Sequence, residues 1–480
     1  MKTNLRFKLV LGTNIAVAAW QVFYLALRTK YLPPLVPLWY TRPWGEAQLA
    51  APNWLWLLPI SSVLLILVNF FLIRHLTKKN APLEANAFLV LTTLGNLILA
   101  SSLYRIVQSA ALPFPPLIKL ALGPLILPFL LSLLLAGAIA PKAVQFAKKF
   151  NIVDDPRTHR HPAILHRIPI PRGGIVPVWL AIIILSLLFL PLSKQLVGAL
   201  IAASMMAIIG VLDDKYDLNP YLRFGLNFLA AAVVVGAGIG IRYFTNPFGG
   251  ILRVDLVSIP VNILGTRYIS LPADLIALLW IVWVANMLSW SNGVDGQFAG
   301  ITGTTCLVIA LLSLRLVDQD PTQWPTAKLA AITGGAIFGV LPYTWHPAKI
   351  FWGYGATAIG LIIATLSILS GTKIFTALLV MMVPLIDAFY TVYRRVKRGK
   401  SPFWGDREHL HHKLLDLGWS HQKVALFYWG TTLLLGIIGL LSSGRATFLA
   451  ILMAGGVVGF LIVLANLKGK ANKTPSPAVE

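Results

Sequence analysis

Apolar segments nearly as long as a bilayer is thick recur along the whole chain. They lie at about 9–27, 54–73, 86–104, 120–140, 174–192, 195–212, 224–241, 271–290, 299–314, 329–344, 351–370, 374–393, 424–442 and 447–467. A helix needs about 20 apolar residues to cross the hydrocarbon core, and these segments lack the two-residue alternation of barrel strands. The pattern predicts an all-α polytopic transmembrane bundle of about 14 spans.

Composition excludes a soluble globular protein. The 480 residues are 57% hydrophobic and only 12% charged, and the mean hydropathy is +0.75. Soluble domains carry about 25% charged residues, so half of the usual charge is missing. The single cysteine, Cys306, lies in an apolar segment, which excludes an intramolecular disulfide and a thiolate metal site.

The distribution of basic residues predicts the topology. The chain has 40 Lys and Arg against 17 Asp and Glu, and an intracellular N-terminus places 27 of the 40 in cytoplasmic segments. Both termini and the two most basic loops, 141–173 and 394–423, are then cytoplasmic. The basic residues lie in short loops between spans, so nucleic-acid binding is not expected. The same loops would also attract phosphate-bearing substrates.

The chain divides into three predicted regions. Residues 1–115 form an accessory segment of about three spans, 116–467 form a transmembrane domain of about eleven, and 468–480 form a disordered cytoplasmic tail. The first apolar run follows basic residues as a signal peptide does, but it is longer and lacks a small-x-small cleavage site. We therefore expect a retained span. The absence of an internal repeat weakens a transporter interpretation.

Acidic residues are rare, and three of them cluster at the end of one apolar run. Asp213 and Asp217 would share a helix face at i,i+4, with Asp214 one position round. Three like charges at a membrane boundary repel one another, and a divalent cation, or a substrate bridged through one, would relieve the repulsion. The structural alternative is a solvated helix end neutralised by Lys215 and Arg223.

A second polar segment, 286–296, follows the end of another apolar run. Asn286, Ser289 and Asn292 recur every three residues and would follow one side of a helix. Such stripes often only join helices inside a membrane. Asp295, flanked by glycines that permit a tight turn, favours a binding site for an anion.

A third segment, 406–412, concentrates histidines. His409, His411 and His412 lie within four residues, next to Arg407. A zinc site or a solvated face is the structural alternative. No cysteine lies nearby, and arginine and histidine donors suit phosphate oxygens, so anion binding is favoured.

Together with the loop 154–174, which contains Arg172, these segments lie on one predicted membrane face. The Pro-Arg-Gly-Gly turn of that loop is weak evidence by itself. A carboxylate cluster, a glycine turn and a His/Arg loop together suit magnesium-assisted phosphoryl transfer at the bilayer surface.

The motifs resemble, in order, those of the polyprenyl-phosphate N-acetylhexosamine-1-phosphate transferases (glycosyltransferase family 4), over about 120–467. The resemblance implies a magnesium-dependent phospho-N-acetylhexosamine transferase of the cell membrane, with manganese as the alternative metal. Its expected partners are a UDP-N-acetylhexosamine and a polyprenyl phosphate such as undecaprenyl phosphate. Transfer would release UMP and begin a cell-envelope glycan. The oligomeric state stays open, with a homodimer as one alternative.

The resemblance also implies residue roles. The expected catalytic residues are Asp213, Asp214, Asp295, His411 and His412. The expected nucleotide-sugar ligands are Asn286, Ser289, Asn292, Arg407, His409, His411 and His412. The lipid phosphate would contact Arg172 and Arg223. The expected metal ligands are Asp213, Asp214, Asp217 and Asp295.

Three positions depart from the family pattern. Ser289 replaces an asparagine, Asn292 replaces an aspartate, and Tyr354 occupies the place of an aspartate that binds magnesium in relatives. A catalytically weakened or inactive lipid-binding scaffold is therefore one alternative function. A transporter or lipid flippase is another, although Asp387 is the only clear acidic candidate inside a span.

Overall fold

The computed structural model describes residues 2–39, 46–78, 82–110, 123–157, 168–246, 249–262, 266–371, 374–401 and 406–471. Across these ranges the chain forms sixteen α-helices and eight short strands. The helices are α1 (Lys2–Arg28), α2 (Leu57–Lys78), α3 (Pro82–Ala110), α4 (Gly123–Lys149), α5 (Ile175–Phe189), α6 (Lys194–Tyr216), α7 (Pro220–Gly236), α8 (Leu271–Trp290), α9 (Gln297–Leu314), α10 (Gln323–Thr344), α11 (Ala356–Leu369), α12 (Ile374–Val380), α13 (Met382–Lys397), α14 (Leu410–Asp416), α15 (His421–Leu441) and α16 (Arg445–Ala471).

The strands form four separate antiparallel pairs outside the helices. The pairs are β1 (Val36–Pro37) with β2 (Leu49–Ala50), β3 (Val153–Asp154) with β4 (Ile170–Pro171), β5 (Tyr243–Thr245) with β6 (Ile251–Arg253), and β7 (Ser258–Asn262) with β8 (Thr266–Ser270). None of them builds a larger sheet in the described ranges.

The helices confirm the predicted all-α polytopic membrane protein. Within the described ranges, ten helices are long and apolar enough to cross a membrane, and eleven if the bent pair α12–α13 counts as one span. Three shorter apolar helical segments, which contain α5, α7 and α11, complete the predicted set. Each predicted apolar segment coincides with at least one helix, whereas α14 lies outside all of them. The count of 14 spans stays a prediction.

The chain separates into two compact units, Met1–Lys119 and Leu120–Glu480. The accessory role of 1–115 and the functional boundary near 116 stay predictions. At the C-terminus, α16 continues to Ala471, and 472–480 lies outside the described residues.

Polar side chains connect the three helices of the first unit. Asn14 donates to Thr93 at 2.9 Å and accepts from Asn96 at 2.8 Å. Gln21 donates to Ser62 at 2.8 Å. Lipid offers these amides no alternative partner, so such bonds help to hold helices together in a bilayer.

In the second unit, small residues allow α4 and α10 to pack closely. A Cβ added at Gly335 or Gly339 would collide with the backbone of α4. Van der Waals contact between close backbones is a main source of helix association in membranes. α9 lies at the centre of this unit, with 83% of its 18 residues buried.

The predicted span 374–393 is divided in the structure. α12 and α13 meet at Met381 with an 80° bend. Pro384 lacks the N–H that would bond to the carbonyl of Val380 in a continuous helix. The series of backbone hydrogen bonds is therefore interrupted at this point.

Candidate active site

Three of the four predicted polar segments meet at one cavity of about 590 Å³. It lies between the strand β4, the end of α6, the α8–α9 turn, the loop after α10, and the start of α15. The polar and charged side chains that line it are Asp154, Arg172, Asp213, Asp214, Arg223, Ser289, Asn292, Asp295, Thr344, His346, Tyr354 and His421.

Asp213 lies in the last turn of α6 and is already paired. Its Oδ2 accepts a hydrogen bond from Nη1 of Arg223 at 3.0 Å, and its Oδ1 accepts from the backbone N–H of Leu218 at 3.1 Å. The Arg223 guanidinium also lies 5.2 Å from the ring centre of Tyr354. Arg223 therefore neutralises Asp213, as the structural alternative for this cluster anticipated, and both side chains still line the cavity.

Asp214, the next residue, retains an unused oxygen. Its Oδ1 accepts from the backbone N–H of Tyr354 at 3.0 Å. Its Oδ2 is buried and has no hydrogen-bond partner among the described residues. Gly353, with φ +58°, permits this approach, because a Cβ there would collide with the Asp214 carboxylate. A buried carboxylate oxygen without a donor is costly, and a cation would satisfy it.

The second arginine of the cavity directly follows β4. Arg172 contacts Asp154 at 2.9 Å, and a quarter of the Arg172 side chain is exposed. Arg172 and Arg223 thus line the same cavity, each beside one carboxylate. Arginines fixed in this way are suited to bind phosphate oxygens.

The end of α8 supplies Ser289, and the turn from α8 to α9 supplies Asn292 and Asp295. Gly296, the residue before α9, adopts φ +77°, which keeps the turn tight. Asp295 Oδ2 accepts from His346 Nδ1 at 2.7 Å and from the backbone N–H of Ala348 at 3.2 Å. This places the carboxylate at the meeting point of the turn and the loop after α10.

Sequence reasoning missed His346 and His421. His421 is the first residue of α15, and its Nδ1 lies 3.9 Å from Asp295 Oδ2. Neither histidine belongs to a local motif. Each lies at the end of a predicted span on the face that carries the other motifs, and this shared position is the signal that could have identified them.

Besides the three histidines of the 406–412 loop, three predicted site residues lie outside the cavity lining. Asn286 Oδ1 accepts from Asn227 at 3.2 Å. Asp217 is exposed at the C-terminal cap of α6. Arg407 forms an ion pair with Asp416 at 3.0 Å at the surface. Their predicted roles stay predictions.

The histidine loop lies behind the α8–α9 turn. His409 Nδ1 donates to Asp387 at 2.8 Å, and the backbone N–H of Leu410 donates to the other oxygen of Asp387 at 2.8 Å. A Cβ added at Gly293 would lie 2.6 Å from Cδ2 of His411, so the loop contacts the turn without lining the cavity.

Burial keeps two histidines of this loop neutral. Desolvation lowers the pKa of His411 well below its usual value, and the neighbouring His412 and His409 add to this effect. Desolvation, with His409 and Arg407, lowers the pKa of His412 to about 4. At neutral pH both rings can orient or donate a hydrogen bond, but they carry no positive charge.

Asp406 anchors the start of the loop. Burial opposes its ionisation, but hydrogen bonds from Arg395 and the backbone of Glu408 outweigh that effect and lower the pKa of Asp406 strongly. Its carboxylate accepts from Arg394 at 3.0 Å and from Arg395 at 2.9 Å. This ion-pair network ties the histidine loop to α13.

Two places in the cavity could hold a metal. One is the unsatisfied oxygen of Asp214. The other is the group Asp295, His346 and His421, whose ligand atoms all lie within 4.8 Å of one another. Asp213 and Asp217 form no such three-residue group in the part of the chain that the structure describes.

Comparison with known proteins gives consistent matches. The model of glycosyl transferase family 4 matches residues 196–371. A decaprenyl-phosphate N-acetylglucosaminephosphotransferase of Mycobacterium tuberculosis is 30% identical over 296 residues, covering 55% of this chain and 70% of that protein. A probable undecaprenyl-phosphate N-acetylglucosaminyl 1-phosphate transferase of Bacillus subtilis is 24% identical over 362 residues, covering 74% and 94%. A phospho-N-acetylmuramoyl-pentapeptide-transferase of Moorella thermoacetica is 27% identical over 343 residues, covering 67% and 98%.

Proposed function

The chain belongs to glycosyl transferase family 4, and we propose that it transfers an N-acetylhexosamine 1-phosphate from a UDP-sugar to a polyprenyl phosphate. The names of the relatives above specify decaprenyl phosphate, undecaprenyl phosphate or an N-acetylmuramoyl-pentapeptide as a substrate. They favour catalysis over the scaffold and transport alternatives. The plasma membrane, with both termini cytoplasmic, is the proposed location.

The observation that carries the proposal is the meeting of three separate motifs at one cavity. Arg172, Arg223 and Asp214 come from different parts of the sequence and line it together with the α8–α9 turn. Phosphoryl transfer depends mainly on positioning and on stabilising charge, and it requires little covalent chemistry from the protein. A cavity lined by fixed arginines and carboxylates meets this requirement.

The proposed reaction conserves the number of phosphoanhydride bonds. An oxygen of the polyprenyl phosphate attacks the β-phosphorus of the UDP-sugar and forms a new phosphorus–oxygen bond. The bond from the β-phosphorus to the bridging oxygen breaks, and UMP leaves with that electron pair. The products are a polyprenyl diphosphate sugar and UMP.

We assign charge stabilisation to the two arginines of the cavity. Arg223 is held by Asp213 at 3.0 Å and Arg172 by Asp154 at 2.9 Å, so both guanidinium groups are oriented before substrate binds. Preorganised donors stabilise developing charge without the cost of reorganisation. The neutral His411 would act behind them by fixing the α8–α9 turn, against which it lies at Gly293.

Magnesium is the proposed cofactor at Asp214. The buried Oδ2 of Asp214 has no hydrogen-bond partner in the described ranges, and an oxygen of this kind fits a hard dication. When bound, the ion would neutralise phosphate oxygens. Asp213 is less suited as a ligand because Arg223 already occupies its Oδ2.

Product identification tests the proposal. Purified protein in lipid nanodiscs would receive undecaprenyl phosphate and, in parallel, UDP-GlcNAc, UDP-GalNAc and UDP-MurNAc-pentapeptide. Mass spectrometry should detect a polyprenyl diphosphate sugar with one donor, at a one-to-one ratio with UMP. A polyprenyl monophosphate sugar with UDP release would replace the proposed reaction by glycosyl transfer, and no lipid product with any donor would refute it.

A further inference from the structure

We propose that Asp295, His346 and His421 form a binding site for a divalent transition metal of the Mn²⁺, Co²⁺ and Zn²⁺ class. The inference rests on the proposed function only for the metal's role beside the substrate phosphates. The binding of the metal itself requires no assumption about the reaction.

The three side chains come from three different structural elements. Asp295 lies in the α8–α9 turn, His346 follows α10, and His421 begins α15. All three line the same cavity. Ligands carried at the ends of packed helices are held more rigidly than ligands on one flexible loop.

Both imidazole rings present the same atom to the same oxygen. Nδ1 of His346 lies 2.7 Å from Oδ2 of Asp295, and Nδ1 of His421 lies 3.9 Å from it. The rings stack with centroids 4.5 Å apart and an interplanar angle of 29°. The Nδ1 atoms of both histidines therefore lie close to one oxygen of Asp295.

The spacing is close to that of a coordinated ion. A metal with bonds of about 2.1 Å places neighbouring ligand atoms about 3.0 to 3.5 Å apart. His421 would approach Asp295 by about half an ångström, and His346 would withdraw by somewhat less. The metal would replace the hydrogen between His346 and Asp295, and the neutral His346 ring would then carry its one proton on Nε2 instead of Nδ1.

Without an ion, the arrangement leaves one nitrogen unsatisfied. Nδ1 of His421 is buried and has no hydrogen-bond partner in the described part of the chain. An unsatisfied buried polar atom costs about 1 to 3 kcal/mol. A second hydrogen bond from His421 to Asp295 would need a contact well below the observed 3.9 Å.

The ligand set also indicates the class of metal. Two imidazoles and one carboxylate suit zinc, manganese, cobalt or ferrous iron, whereas magnesium prefers oxygen ligands alone. Three protein ligands leave coordination positions open for water or substrate. In this cavity the exchangeable ligands would be phosphate oxygens of the donor or acceptor.

Metal binding can be measured without substrate. Tag-free protein in detergent, treated with a chelator and then dialysed, would be titrated with Co²⁺ and followed by visible absorption, and with Mn²⁺ followed by EPR. We expect one saturable site per chain, with a Co²⁺ spectrum that reports nitrogen ligation. Magnesium in large excess should not displace the Co²⁺.

Single substitutions identify the ligands. His346→Ala and His421→Ala should each weaken Co²⁺ binding by about 100-fold or more. Losing a direct ligand lowers metal affinity more than losing an outer-shell contact does, and the latter alone lowers it by about 10- to 100-fold. Asp295→Asn, which preserves volume, should do the same. Gly430→Ala, whose added Cβ in α15 meets nothing within 4 Å, should leave the affinity unchanged. Thermal unfolding of each variant would verify that it is folded.

The outcomes separate this site from the proposed function. Absence of a saturable site, binding unaffected by His346→Ala and His421→Ala in folded protein, or displacement by magnesium would each refute the metal site. Transfer could still occur in all three cases. Conversely, a ligand-dependent Co²⁺ site in a protein that transfers no sugar phosphate would support the site and refute the function.

Discussion

The contact between the α8–α9 turn and the histidine loop gives a sharp prediction for Gly293→Ala. The added Cβ would lie 2.6 Å from Cδ2 of His411, whereas carbon atoms in contact are about 3.5 to 4.0 Å apart. His411 is 1% exposed and stacks on His409 with ring centroids 5.5 Å apart, so its ring has little room to move. Nε2 of His411 would lie closer still to the added Cβ, so the turn must shift by about 1 Å or more.

A shift of this size at a reacting centre can lower the rate by about 100-fold. We expect Gly293→Ala to reduce UMP release by about that factor while the protein remains folded. The glycine has no positive φ, so the effect would be steric and not a backbone penalty.

The assay is UMP release from the preferred UDP-sugar, with thermal unfolding measured on the same sample. Gly430→Ala in α15 is the matched control, since its added Cβ meets nothing within 4 Å. It should keep the wild-type rate. If a folded Gly293→Ala protein transferred within threefold of wild type, the turn would not depend on its contact with His411.

Three further predictions concern pH, metal and topology. The pKa of His412 is about 4 in the folded protein and 6.5 in an ordinary environment, so the unfolded state binds more protons between these values. Stability should be complete above pH 6.5 and fall by up to about 3 kcal/mol towards pH 4; His412→Gln should reduce this fall in thermal unfolding. The double variant Ser289→Asn, Tyr354→Asp should reach its half-maximal rate at lower magnesium than wild type, because it adds hard oxygen ligands; equal midpoints would contradict the assignment of Tyr354 to the aspartate's place. A reporter that is active only outside the membrane, fused after Lys470, should give no signal; a strong signal would overturn the topology.

The fold was largely predictable because the bilayer sets the length of apolar segments. Every predicted segment overlaps a helix, and the cavity assembles the loops that positive-inside counting placed on one face. The 80° bend at Met381 was missed, although Pro384 marks the interrupted backbone bond. Apolar run length alone does not reveal such a break.

The site was predictable only where its residues form local motifs. Asp213 and Asp214 were found because acids are rare and these two are adjacent. The pairing of Asp213 with Arg223 was identified only as an alternative, since it depends on the turn between α6 and α7. His346 and His421 approach Asp295 through tertiary packing, and no spacing in the sequence encodes that contact.

The central claim is that this cavity transfers a sugar phosphate, and the most direct measurement follows the β-phosphorus. UDP-sugar labelled with ³²P at the β-position would be incubated with undecaprenyl phosphate and wild-type or Asp214→Asn protein, and the organic phase counted. The label should enter the lipid phase with wild type, leave unlabelled UMP in water, and fall by about 100-fold or more with Asp214→Asn. Label retained in aqueous UDP, or equal transfer by a folded Asp214→Asn protein, would contradict the account.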